Sequence, residues 1–144
     1  MTLLRVESLR TSLAGASGVA RAVDGVSFDV NAGETFALLG ESGCGKSMTA
    51  LSLMRLLPDA GVIVGGRVLL DGRDLLNLSE SEMRDVRGRK MAMIFQEPAT
   101  SLNPVLTVGQ QIVEVLERHT VLRGVVATRM RALELVEAVG IPDP

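Results

Sequence analysis

Tryptophan and tyrosine are absent from the 144 residues, phenylalanine occurs three times, and cysteine and histidine once each. So few aromatics leave little on which to stack bases, and a net charge of −2 lays down no basic footprint, so no nucleic-acid partner is expected. A single cysteine excludes an internal disulfide and any multi-cysteine zinc site. The lone His119 cannot build a metal centre and reads as a polar residue near the end of a helix. Long apolar runs are lacking too. Hydrophobic residues make up 47% of the chain, yet Arg, Asp, Glu or Gly interrupts every run before the roughly 18 residues that a spanning helix needs. The opening stretch MTLLRVESLRTSL carries Arg5, Glu7 and Arg10 where a signal peptide is uninterrupted and apolar, which points to a cytosolic location. The length suits one modest domain.

What is present alternates between two periods. Residues 3–9 (LLRVESL) and 21–30 (RAVDGVSFDV) alternate apolar and polar side chains around the turn-prone AGASG, which predicts antiparallel strands with one wet face. Residues 34–40 (ETFALLG) are unbroken from Phe36 to Leu39 and predict a central strand covered on both faces; 90–95 (KMAMIF) predict a second. Between them, 46–57 read as a helix stopped by Pro58, 65–76 as a strand and turn, and 79–88 as a short helix with Ser79 at its cap and Glu82 three residues on. From Val108 onward the apolar spacing is three and four, which predicts helices.

The stretch LLGESGCGKSMTAL carries the chemistry. Gly40, Gly45, Lys46 and Ser47 satisfy G-x-x-x-x-G-K-[ST] between a buried strand and a helix. Glycines bring successive N–H groups toward one anion, and the helix that follows points its positive end at the same place. Gly40, Glu41, Ser42, Gly43, Cys44, Gly45, Lys46, Ser47 and Met48 are therefore the expected cradle for a triphosphate, with Lys46 on the outer phosphates and the Ser47 hydroxyl on Mg2+. The bland alternative is a glycine-rich turn with no ligand. Cys44 has two readings, a reactive thiol near a helix N-terminus or a small residue that fits the loop.

Around this loop the chain resembles the ATP-binding subunits of ABC transporters, in the oligopeptide and dipeptide importer branch. The likeness runs through RAVDGVSFDVNAGETFALLGESGCGKSMTALSLMRLLP, GGRVLLDGRDLLNLSESEMRDVRGRKMAMIFQEPATSLNPVLTVGQQI and LVEAVGIPDP, with SLNP and GIPDP as details of that branch. The resemblance implies an α/β fold of the P-loop NTPase class, an ABC-type nucleotide-binding domain. Its N-terminal half would hold an antiparallel β subdomain, part of the parallel core sheet and the start of a helical subdomain. It implies ATP and Mg2+ as ligands, with Gln96, directly after MIF, touching the magnesium or the attacking water. It also implies membrane permease subunits and a second nucleotide-binding subunit as partners, at the cytoplasmic face of the membrane.

Other family features have no counterpart in these 144 residues. No Asp-Glu dipeptide occurs, nor any Ser-Gly-Gly. VLLD (68–71) ends in Asp but is followed by Gly72; Glu97 follows Gln96 rather than a Walker B aspartate, and His119 precedes the place of the signature. SLAGASGVARA offers no aromatic for stacking adenine, so phosphate contacts are expected to dominate. The chain is accordingly expected to be the N-terminal half of a nucleotide-binding domain, 1–100 being core and antiparallel subdomain through Gln96 and 101–144 the start of the helical subdomain. The alternatives are a non-catalytic nucleotide-binding module, a small P-loop kinase, or an ABC-type ATPase of DNA repair or translation.

Overall fold

The computed structural model describes residues 1–16, 18–96, 101–122 and 124–141. Two compact units divide between Met83 and Arg84. The expected reading of Glu97 and most of GIPDP fall outside the described residues.

The first unit is built on a long hairpin. Strand β1 runs Thr2–Gly15 and β2 Gly18–Asn31, antiparallel from Thr2↔Asn31 to Gly15↔Gly18. Both strands outrun the alternating segments because the glycines at the turn let the ladder continue to its tip. Helix α1 follows at Lys46–Met54, then β3 at Gly61–Leu70 and the two-residue β4 at Arg73–Asp74, giving a sheet in the order β2-β1-β3-β4. Asp71 and Gly72, both at positive φ (50° and 79°), make the tight turn between β3 and β4. Val6, Leu9, Val23, Met54, Val68, Leu75 and Met83 are buried in this unit.

The ladder between β1 and β3 shifts register between Glu7 and Arg10. Ser8 there takes φ 47°, and its N–H donates to Ser27 Oγ at 2.7 Å. Opposite lies Gly66 at φ 100°, where a Cβ would sit 2.6 Å from Leu9 Cα and 2.7 Å from Glu7 O. The bulge and the glycine are one device: the extra residue in β1 is accommodated because β3 presents bare backbone.

A one-turn 3-10 helix at Leu75–Asn77 leads to α2, Glu80–Val86. Its start is the expected capping box: Ser79 N–H donates to Glu82 Oε2 at 2.8 Å, and Glu82 N–H to Ser79 Oγ at 3.3 Å. The Ser79 backbone N–H, then the Ser79 hydroxyl, hold the Glu82 carboxyl below its ordinary range.

The second unit carries α3 at Val108–His119 and α4 at Val125–Ala138. Thr107 and Gln110 form a reciprocal capping box at the start of α3. Val86, Leu116, Thr128 and Ala132 are buried in this unit, and His119, the last residue of α3, lies against Gly88.

Several elements differ from expectation. Residues 34–40 and 92–95 join no ladder among the described residues, and Met91 makes only an isolated bridge to Arg87. Leu39 is 87% and Ile94 97% exposed, where buried core strands were expected. An apolar run records suitability for burial, but a strand exists only where neighbouring backbone takes its N–H and C=O groups. Helix α1 ends three residues early, because Arg55 turns left-handed at φ 51° and its N–H closes onto Leu51 and Ser52 O. Strand β3 starts four residues early, at Gly61 rather than Gly65, because β1 already presents Leu13 and Ser12 as partners.

Gly66→Ala is expected to destabilise the first unit by about 2 kcal/mol or more in urea unfolding, whereas Gly72→Ala, also at positive φ but in open space, costs about 1 kcal/mol. Because the Glu82 pKa is depressed, its contribution is present above the unfolded carboxylate pKa and is lost as pH falls through the folded value. In an acid titration followed by NMR, the Ser79 amide should shift with Glu82 protonation, and Glu82→Gln should abolish that shift.

Candidate functional site

Residues 34–40 run extended and exposed into a loop that turns onto α1. Cys44 N–H donates to Glu41 O at 3.3 Å and tightens the loop, and Thr49 N–H and Oγ1 both donate to Gly45 O, at 2.8 and 3.0 Å, to set the first helical turn. Gly45 is the cap residue at φ 93°, and a Cβ there would collide with Ala22 O of β2. The glycine of the G-K-S triplet is therefore required by the sheet as well as by the loop: the start of α1 lies directly on the backbone of β2.

Two ties hold α1 at that angle. Thr11 of β1 and Ser52 of α1, both fully buried, have their hydroxyl oxygens 2.7 Å apart, and Ser52 Oγ is 2.6 Å from Met48 O. Each hydroxyl has one proton, so Ser52 donates to Met48 O and Thr11 donates to Ser52. At the other end, the Arg55 guanidinium donates to Leu75 O at 3.1 Å and Leu78 O at 2.7 Å, which offsets the left-handed backbone at that residue.

This frame leaves a set of donors open. The backbone N–H groups of Gly43, Gly45, Lys46, Ser47 and Met48 meet no acceptor among the described residues, and no acidic side chain lies in the first turn of α1. The positive end of the helix is thus not neutralised by the protein. Lys46 Nζ donates to Gly40 O and Glu41 O at 2.7 Å each and lies 3.6 Å from Cys44 Sγ. Two of its three protons hold the loop closed, and the third faces only a weak sulfur acceptor. Ser47 is exposed, and its hydroxyl makes no hydrogen bond among the described residues. The arrangement suits a polyanion: convergent N–H donors, an ammonium across the loop and a free hydroxyl beside them.

Residues 40–48 thus share one loop and one helical turn. Gln96 belongs to the second unit, exposed at the end of 92–95. Thr11, Ala22, Ser52 and Arg55 shape the site without a signal in the motif, because each reaches α1 or the loop from elsewhere in the chain. Cys44 is exposed.

The fold belongs to a known class. A dimeric bacterial ABC transporter cassette superposes with a TM-score of 0.81 at 21% identity, covering 97% of this chain and 58% of the other; the same cassette in a post-hydrolysis state bound to ADP and Pi matches equally well. The chain belongs to the ABC transporter family, whose model matches residues 23–144. A probable peptide ABC transporter ATP-binding protein of Sinorhizobium fredii is 51% identical over 143 residues, and the dipeptide transport ATP-binding protein of Bacillus subtilis 49%. This chain spans 42% of the length of each of those two relatives.

Gly45→Ala is expected to push α1 off β2 and lower stability by about 2 to 4 kcal/mol. Amide exchange should show faster opening at Thr49, whose N–H is bonded to Gly45 O, than in a Ser47→Ala control.

Proposed function

We propose that this chain is part of the nucleotide-binding domain of an ABC importer subunit for oligopeptides or dipeptides, and that residues 40–48 bind the phosphates of ATP. The observation that carries the reading is the set of open N–H groups of Gly43 and of Gly45 to Met48, with Lys46 across it. Relatives named as peptide, dipeptide and oligopeptide transport ATP-binding proteins, at 48 to 51% identity, support the substrate class.

In this reading the amides take the inner phosphate oxygens. Lys46 exchanges its thiol contact for an outer phosphate oxygen while keeping its two carbonyls, so the loop need not open to bind. The Ser47 hydroxyl, exposed and uncommitted, fits a magnesium ligand, and Gln96 is its second candidate. Mg2+ there would neutralise phosphate charge. Adenine finds no aromatic in 12–22, so affinity rests on the phosphate end.

We assign 1–100 to the core and antiparallel subdomain through Gln96 and 101–144 to the start of the helical subdomain. Permease subunits and a second nucleotide-binding subunit are the partners, at the cytoplasmic face of the membrane. Among the described residues no helix is long and apolar enough to cross one. In the complete subunit, hydrolysis would drive transport. The 144-residue chain, without an Asp-Glu strand end or a signature sequence, is expected to bind without turnover.

Calorimetric titration of the purified chain with ATP and Mg2+ should give saturable heat, and Lys46→Ala should weaken binding at least tenfold, about 1.4 kcal/mol. No saturable heat from folded protein would overturn the reading. Steady hydrolysis abolished by Lys46→Ala would overturn the assignment of binding without turnover.

A further inference from the structure

The open donors of the cradle belong to residues 43–48, and what stands beside them on β2 is backbone. β1 pairs Thr11 with Val23 but Ser12 with Arg21, so Ala22 is an extra residue in β2, a bulge with no partner across the ladder. Its carbonyl is the one that meets Gly45, where a Cβ would come to 2.3 Å of the oxygen. Helix and strand approach too closely there to admit a ring between them. Val19, Ala20 and Ala22 around the bulge carry neither a polar group nor a flat face, whereas Arg21 is exposed and 3.4 Å from Asp24. Rings are scarce elsewhere as well. The chain has no Trp or Tyr, Phe28 and Phe36 stack on each other with an interplanar angle of 9°, and Phe95 belongs to the second unit.

We propose that the site takes the triphosphate as its substrate class and leaves the base unread, so that ATP, GTP, CTP and inorganic tripolyphosphate bind this chain with similar affinity. The inference rests on the reading of residues 40–48 as a phosphate cradle and adds what that cradle selects. Holding a base calls for a stacking platform, worth roughly five- to a hundredfold in affinity. Choosing between bases calls for buried donors and acceptors set against one base's edge, which reject the wrong partner by about ten-thousandfold. Residues 19–22 supply neither. β2 is the outer strand of its sheet, and its outward edge offers N–H and C=O in alternation, which suits the edge of either purine alike. The Arg21 guanidinium can lie on the face of any base, so whatever it adds does not depend on which base is present. Phosphate, by contrast, meets the N–H groups of Gly43 and of Gly45 to Met48, with the Lys46 ammonium across the loop. Affinity and selectivity therefore both sit at the phosphate end.

Calorimetric titration of the folded chain in Mg2+ with ATP, GTP, CTP, tripolyphosphate and adenosine tests this. The three nucleotides should agree within about fivefold and tripolyphosphate should lie within about tenfold of ATP, while adenosine, which keeps the base and lacks the phosphates, should give no saturable heat. Lys46→Ala should weaken all four phosphate ligands by the same factor. Arg21→Ala and Phe95→Leu, each checked for folding by circular dichroism, should leave the ATP-to-GTP ratio unchanged. Should neither ATP nor tripolyphosphate bind, the phosphate cradle itself is wrong and this inference falls with it. If ATP binds but GTP or CTP is weaker by more than fivefold, or tripolyphosphate by more than tenfold, the cradle stands and the base-blind reading is overturned. Saturable adenosine binding, or a ratio that moves with Arg21 or Phe95, would overturn it in the same way and show which residue reads the base.

Discussion

The close approach of Gly45 to the Ala22 carbonyl is the constraint on which the rest of the candidate site depends. A helix whose cap lies on strand backbone has little room to slide or tilt, so its first N–H groups are aimed by the sheet. The buried Thr11–Ser52 hydroxyl pair adds direction, since Ser52 also donates to Met48 O inside the helix. Directional bonds of this kind contribute about 1 kcal/mol each, but an orphaned partner at a site as buried as Thr11 costs more.

Lys46 shows how the same side chain can serve the loop and a ligand. Its two carbonyl bonds satisfy the Gly40 oxygen and add to the Cys44 N–H that already reaches the Glu41 oxygen. Its charge lies next to a helix end that carries no acid. An anion entering the loop meets donors already in place, and binding does not have to create the cradle. That preorganisation lowers the ordering cost of association.

The apolar surface has a common origin. Phe36, Leu38 and Leu39 in one unit, and Ile94 and Phe95 in the other, are exposed large hydrophobics on segments that join no ladder among the described residues. Phe36 finds one partner, stacking on Phe28 at 4.8 Å between ring centres. Between α3 and α4 an apolar groove of about 680 Å3 includes Val108, Val113, Val125, Leu133 and Ile141. Exposed patches of this kind mark surfaces that favour association.

Local chemistry was legible in the sequence wherever a few neighbouring residues settle it. Alternation on either side of AGASG gave the hairpin, the Ser79 and Glu82 spacing gave the cap of α2, and G-x-x-x-x-G-K-S located the loop and the helix after it. The buried strands at 34–40 and 90–95 were not legible in the same way, because a ladder needs a partner from distant sequence and composition cannot supply one. Nor did the motif disclose that Gly45 answers to Ala22, that Gly66 answers to the bulge at Ser8, or that Arg55 ends α1 early. The sequence alone therefore determined which groups could hold phosphate and in what order they occur. Tertiary structure decided how those groups are aimed and which apolar runs found cover, because both depend on backbone that meets across the sheet.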